Sequence, residues 1–464
     1  MILLLIGRIL QIALAVFQIR LATTLLQPDQ YGVWILLQTV VAFFVMFLLS
    51  PIGLYLNRHI LEWNSRGLLP EVFRGYSLLL LGFSVTGSIF FFVVQKIGLV
   101  NLHVSSLVYA SLIMALLTFT QTFNQTWIPS LNFLGKRKEF VLGTSLATLA
   151  SLIIVFVLAK TGWSSPESWA VSFSIGGTIA AFIFIPKGWY KFSPARFNEF
   201  KGSLKLAHIF QFSLPLFFST MFIWFQTQGY RFIVEKKVGL VTFGQFAAGY
   251  AVVAGLFAAL EVVIISFYQP KFYKGITEGN VISEELKHVW NLTLYPYFLA
   301  AVFLFFLAPE IAGIFLNAKF ISSTDWISWV ILSEGMRVLF NTVCINYHAT
   351  KKTYNIAWTH FIGAILTLIL FIFTSKLTYF NLLIYLGAGY LVSIVLLVLM
   401  DLKNFIDSRF FNKLLISLII CAVYFFMVYE ISKFTSGNLK IVVVSILGFI
   451  FITPYYLKQV KGSA

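Results

Sequence analysis

Acidic side chains are scarce in this chain: 17 Asp and Glu stand against 33 Lys and Arg among 464 residues, and charged residues of both signs amount to only 11%. Soluble domains carry about 25%, so no soluble fold accounts for the bulk of the sequence. Cysteine is nearly missing as well. Cys344 and Cys421 both sit inside apolar runs and offer neither a disulfide framework nor a metal-ligand spacing, so neither a metal nor a cofactor is expected. No G-x-x-x-x-G-K-[ST] stretch occurs, which sets aside a P-loop ATPase. The adjacent carboxylates Glu284-Glu285 lie in a polar break and read as a solvated turn. Acidic metal-binding motifs and long polar stretches are therefore both missing, which argues against an enzyme.

What is abundant is apolar surface. The hydrophobic set makes up 59% of the residues and the mean hydropathy is +0.89. A hydrocarbon slab of ~30 Å takes ~20 helical residues per crossing, and runs of that length recur from end to end. The expected crossings, 14 in all, fall at 2–26, 32–56, 75–98, 105–130, 141–160, 168–186, 209–233, 241–267, 289–311, 326–347, 355–375, 382–402, 413–431 and 439–457. The runs are continuously apolar and about twice the length of barrel strands, so the fold class is an all-α polytopic membrane protein. The first run lacks a basic n-region and a cleavage site, and reads as a retained helix.

The formal net charge of +16 does not point to nucleic acid, because the basic residues are scattered among helix ends. With the N-terminus placed inside, inner breaks hold 21 of the 33 Lys and Arg, and outer breaks 8. That asymmetry puts both termini in the cytoplasm. The remaining four, Arg8, Arg20, Arg231 and Arg337, lie within crossings. Trp34, Trp63, Trp163, Trp189 and Trp326 near helix ends read as interfacial belts.

One crossing stands apart: WISWVILSEGMRVLFNTVCINY, Trp326 to Tyr347, carries Glu334, Arg337 and Asn341 near its middle. A charge there costs ~3 kcal/mol on insertion scales. The three residues sit at i, i+3 and i+7 and share one helix face, which must look at protein or water. An internal repeat gives this face a counterpart. RLATTLLQPDQYGVW near Arg20 and YRFIVEKKVGLVTFGQF near Arg231 follow one plan, with the arginines 211 residues apart and the glycines of Tyr31-Gly32 and Phe243-Gly244 212 apart. Gln125 and Asn341 are separated by 216, and the basic turns beginning at Lys136 and Lys351 by 215. A duplicated six-helix unit explains these offsets. The first copy then holds Thr118, Gln121 and Gln125 where the second holds Glu334, Arg337 and Asn341. Six is even, so the copies share one membrane orientation, and a substrate path is expected between them. The organisation read from this is an N-terminal six-helix lobe at 1–190, a basic cytoplasmic linker at 191–208, a C-terminal six-helix lobe at 209–404, and two further helices with a short tail at 405–464.

The run from Arg20 through QPDQYG into a helix ending SPIGLYLNRHI, its repeat at Arg231 to Gly244, and the basic turn after the fourth helix resemble the Wzx-type polysaccharide flippases. These are the O-antigen and related lipid-linked oligosaccharide exporters of the multidrug/oligosaccharidyl-lipid/polysaccharide superfamily. The resemblance covers the whole chain in architecture. It implies a V-shaped transporter of the bacterial inner membrane that moves a polyprenyl-diphosphate-linked oligosaccharide to the outer leaflet by alternating access through a cationic cavity. It also implies a place in lipopolysaccharide biosynthesis beside a polysaccharide polymerase. By position, Arg20 and Arg58 match places where such flippases often keep arginine.

A wet, cationic route suits such a substrate, because the arginine fork binds phosphate oxygens in bidentate fashion and stays charged when partly desolvated. Candidate substrate contacts are Arg20, Arg58, Arg231 and Arg337, with Thr118, Gln121, Gln125 and Asn341 as the polar stripe. Glu334 is either the counter-ion of Arg337 or a site coupling proton or sodium movement to export, and Glu261 and His360 are rivals for the coupling role. A drug or cation antiporter of the same superfamily is the alternative, and it would need embedded carboxylates in excess of arginines. A membrane enzyme acting on lipid-linked sugars is the more distant one.

Overall fold

The computed structural model describes residues 2–97, 106–190, 214, 217–218, 220–277, 281–321, 326–350, 352–435, 439–448 and 450–451. The basic linker at 191–208 lies outside them. The described residues form helices and turns, with no strand among them. Among the described residues, ten helices are long and apolar enough to cross a membrane. The other four expected crossings differ for identifiable reasons. The first crossing forms the helix Ile2–Leu25, and the last is described only at Leu439–Gly448 and 450–451. The helix Val330–Ala349 forms as expected but carries Glu334, Arg337 and Asn341, which lower its apolarity. The seventh crossing is described only in part, and chiefly from residue 220 onward.

The chain divides into two compact units, Met1–Gly244 and Gln245–Ala464. The described part of the seventh crossing thus packs with the first unit, although the sequence division places it with the second. Its Trp224 indole donates to the Thr39 carbonyl at 3.0 Å, and Arg231 donates to the Thr39 hydroxyl at 3.3 Å.

In the first unit, α1 is Ile2–Leu25, and α2 (Pro28–Phe43) runs through a π turn, Phe44–Leu49, into α3 (Ser50–Ser65). Pro51 accounts for the register change: proline has no amide to bond the preceding turn and its ring crowds the i−4 carbonyl, and the wider π turn just before it absorbs both. Then come α4 (Leu69–Lys96), α5 (Leu107–Phe133), α6 (Arg137–Lys160) and α7 (Pro166–Phe184). Ser106 caps α5, and Ser165 with Ser168 forms a capping box on α7. A second π turn, Phe225–Gly229, leads into α8 (Tyr230–Val238). The core gathers around the fully buried Trp127, whose ring lies 5.1 Å from Phe73 and 5.3 Å from Trp189.

The two glycines of the sequence repeat meet. A Cβ on Gly244 would overlap the Pro28 carbonyl oxygen, and one on Gly32 would lie 2.9 Å from the Leu240 carbonyl oxygen. Each helix start therefore rests its backbone on the glycine of the other copy, an approach that only a residue without a side chain permits.

The second unit contains most of α9 (Leu240–Thr277), then α10 (Ile282–Phe315), α11 (Val330–Ala349), α12 (Thr353–Phe373), α13 (Tyr379–Met400), α14 (Leu402–Asp407), α15 (Phe410–Ser432) and α16 (Leu439–Gly448). The last two helices are fastened to α10. Tyr295, Phe306 and Leu307 of α10 share a core with Tyr424, Val428 and Val444, and Lys440 pairs with Glu310 at 2.7 Å. Trp290 of α10 donates to Ser408 at 2.8 Å just after α14.

Candidate functional site

The face of α11 that carries Glu334, Arg337 and Asn341 is met by α9. Arg337 donates from Nε to Glu334 Oε2 at 2.8 Å and from Nη1 to Glu261 Oε2 at 3.1 Å. Asn341 Nδ2 donates to Glu261 Oε1 at 2.7 Å, and the Tyr250 hydroxyl donates to Glu334 Oε1. Tyr250 and Glu261 are eleven residues apart on α9, which returns them to within about 20° of the same face. Tyr250 meets Glu334, and Glu261 meets Arg337 and Asn341, so long side chains bridge α9 and α11 in the same order along both helices.

This network decides what Arg337 can do. Its guanidinium is shared between two carboxylates, and the trio carries a formal charge of −1. Burial makes that count matter: the side chains of Glu334, Glu261 and Arg337 are 4%, 12% and 19% exposed, so water screens them little. Exposure rises along α11 from Glu334 to Asn341, which is open. The cluster is thus closed at one end and accessible at the other. One excess negative charge in such a place suits a proton or a monovalent cation better than a phosphate.

The other expected stripe is graded in the same way. Thr118 of α5 is buried, and its carbonyl accepts from the Thr122 hydroxyl. Gln121, half-buried, donates to Gln38 of α2 at 3.2 Å, and Gln125 is exposed. Arg20 is exposed on α1. Arg58 falls within α3, but its side chain lies outside the described residues. Arg231 is half-buried, and among the described residues no carboxylate pairs with it; its contact is the Thr39 hydroxyl. His360 is buried with its ring 4.3 Å from that of Phe340, and it is Glu261, not His360, that supplies Arg337's partner from another helix. Tyr250, Gln38, Thr39 and Trp224 are contacts that sequence reasoning did not single out. Tyr250 was findable, at three turns from Glu261.

Comparison with protein-family models finds no match, and neither does comparison with curated protein sequences. Solved structures do match. The lipid II flippase MurJ in an inward closed conformation superposes with a TM-score of 0.66 at 17% identity, covering 99% of this chain and 98% of that one. An inward-facing multidrug resistance transporter of the MATE family in the MOP superfamily gives 0.60 at 13% identity, covering 86% and 95%. A MOP-superfamily transporter from Pyrococcus furiosus with reversed polarity of its binding pocket gives 0.57 at 13%, covering 88% and 95%. The fold of this chain is therefore shared with these three structures, and with the first of them over 99% of its length.

Proposed function

We propose that this protein is a flippase that carries a polyprenyl-diphosphate-linked oligosaccharide from the cytoplasmic to the outer leaflet of the bacterial inner membrane by alternating access. Both termini are cytoplasmic in this reading, and the glycan belongs to O-antigen or a related polysaccharide, handed on to polymerase machinery. The observation that carries it is Arg231: in a fold matched end to end by a lipid II flippase, a membrane-embedded guanidinium stands without a described carboxylate. Such a cation is costly unless an anionic partner visits it, and a diphosphate is that partner. Arg20 and Arg58 are its proposed companions.

The roles within the second unit divide differently. Arg337 organises the carboxylates, and Glu261 with Glu334 forms the coupling site, because their excess charge is relieved by a proton or sodium ion. Inward passage of that ion would drive export. The same carboxylates favour a second reading, a cation antiporter, since they supply a negative site in an otherwise basic chain.

Reconstitution into proteoliposomes separates the two. With an imposed inward proton or sodium gradient, a polyprenyl-diphosphate oligosaccharide should cross to the opposite leaflet, and Arg231→Gln should slow it at least about tenfold, the weight of one charge-assisted phosphate contact. Gradient-driven movement of an organic cation such as ethidium, with no glycolipid movement, would overturn the flippase reading.

A further inference from the structure

Beside Arg231 lies a cavity of about 190 Å³ whose walls are apolar, formed by the rings of Phe43, Phe44, Phe90, Phe91, Trp224 and Phe232 with two valines. The π turn that starts at Phe44 places two successive rings against this space, and Phe43 stands edge-on to Trp224 at 4.9 Å. Gly87 lets the Phe44 ring settle, since a Cβ there would lie 2.9 Å from it. Phe90 is 58% exposed on an apolar face of α4, so one wall borders the hydrocarbon and admits a chain from the side. Apolar cavities of this size stay dry and accept apolar guests.

The polar edge is built by the same residues. Trp224 lines the cavity with its ring while its Nε1 holds the Thr39 carbonyl, and Arg231 holds the Thr39 hydroxyl. Thr39 precedes the lining residue Val40, and Arg231 precedes the lining residue Phe232. A guanidinium thus sits one residue away from the cavity wall on two helices. This matches a lipid whose chain begins directly behind a phosphate. A cavity of this volume edged by rings is filled better by a methyl-branched, unsaturated chain than by a straight acyl chain.

We infer that this cavity seats the first isoprene units of a polyprenyl phosphate or diphosphate, with Arg231 on the phosphate. The inference rests on the flippase reading and gives the lipid anchor a place within the first unit.

The test is binding of sugar-free undecaprenyl phosphate to the purified full chain in detergent, against dioleoyl phosphatidylglycerol as a phosphate lipid with straight chains. The intact chain should bind the polyprenyl lipid at least about tenfold tighter. Val40→Phe, which fills the cavity, and Phe90→Ala, which removes its exposed wall and spares the core, should each erase that preference. Arg231→Gln should weaken undecaprenyl phosphate and leave uncharged undecaprenol unchanged. Equal affinity for the two phosphate lipids would make the cavity an ordinary acyl-chain site and overturn the inference, as would undiminished preference in both cavity variants. The probe carries no glycan, so the two readings fail separately: cavity-dependent binding without glycolipid movement removes only the flippase, whereas glycolipid movement and binding both unaffected by Val40→Phe remove only the cavity.

Discussion

At the scale of single residues, Arg337 is the cation that keeps two carboxylates compatible. Removing one partner of a buried pair costs about 3 to 5 kcal/mol, so Arg337→Leu should lower the folded yield and the melting temperature in detergent. Arg337→Leu combined with Glu261→Gln should recover much of that loss, because a single carboxylate then remains, hydrogen-bonded to Tyr250. Failure of the double variant to recover would mean that the pair does not set stability. Glu261→Gln alone keeps an acceptor for Asn341 and removes the excess charge. It should leave membrane levels unchanged while abolishing the dependence of transport on the ion gradient, measured in proteoliposomes; gradient dependence that persists would remove Glu261 from coupling. Cysteines at 118, 121 and 125 should react with an aqueous thiol reagent in the order 125, then 121, with 118 protected, following burial. Much of this was legible beforehand. Glu334, Arg337 and Asn341 announce a shared face through helical spacing alone. That Arg337 pairs with Glu261, 76 residues earlier, depends on how two helices register, which no local pattern encodes.

At the scale of helices, the crossings were legible because apolar length is a strong signal, and the two π turns were not, because a register change leaves composition untouched. Pro51 hints at the first only in hindsight, since a proline near the start of a new helix looks the same in either register. The short helix α14 was also merged into a polar break. It matters to packing: Trp290 of α10 reaches Ser408 behind α14 and stacks near Phe405 at 5.8 Å. Trp290→Phe leaves the buried Ser408 hydroxyl with one partner fewer and should cost about 1 to 3 kcal/mol, read as a lower melting temperature. Trp290→Phe with Ser408→Ala should cost less than Trp290→Phe alone. A larger loss in the double variant would place the effect in ring packing and not in the hydrogen bond.

At the scale of the molecule, Gly32 and Gly244, the glycines that the sequence offset relates, rest against each other's turns. Gly244→Ala must push the Pro28 turn away from the start of α9, and Gly32→Ala must displace the Leu240 carbonyl by a smaller amount. Gly244→Ala should therefore lower the melting temperature by more than Gly32→Ala; the reverse order would mean that this contact does not hold the turns together. Constant offsets predict a repeat, but the boundary between compact units was not legible. A polar linker at 191–208 looks like the division, whereas side chains at 224 and 231 bind the seventh crossing to Thr39.

The pairing of Lys440 with Glu310 sets a clock. The two residues are 130 positions apart, and ribosomes extend chains at about 5 to 20 residues per second, so Glu310 precedes its cation by roughly 7 to 26 s. For that interval α10 has to be accommodated with its carboxyl neutralised by some other means, by a proton or by the insertion machinery, and a nascent chain stalled short of residue 440 would keep that debt open.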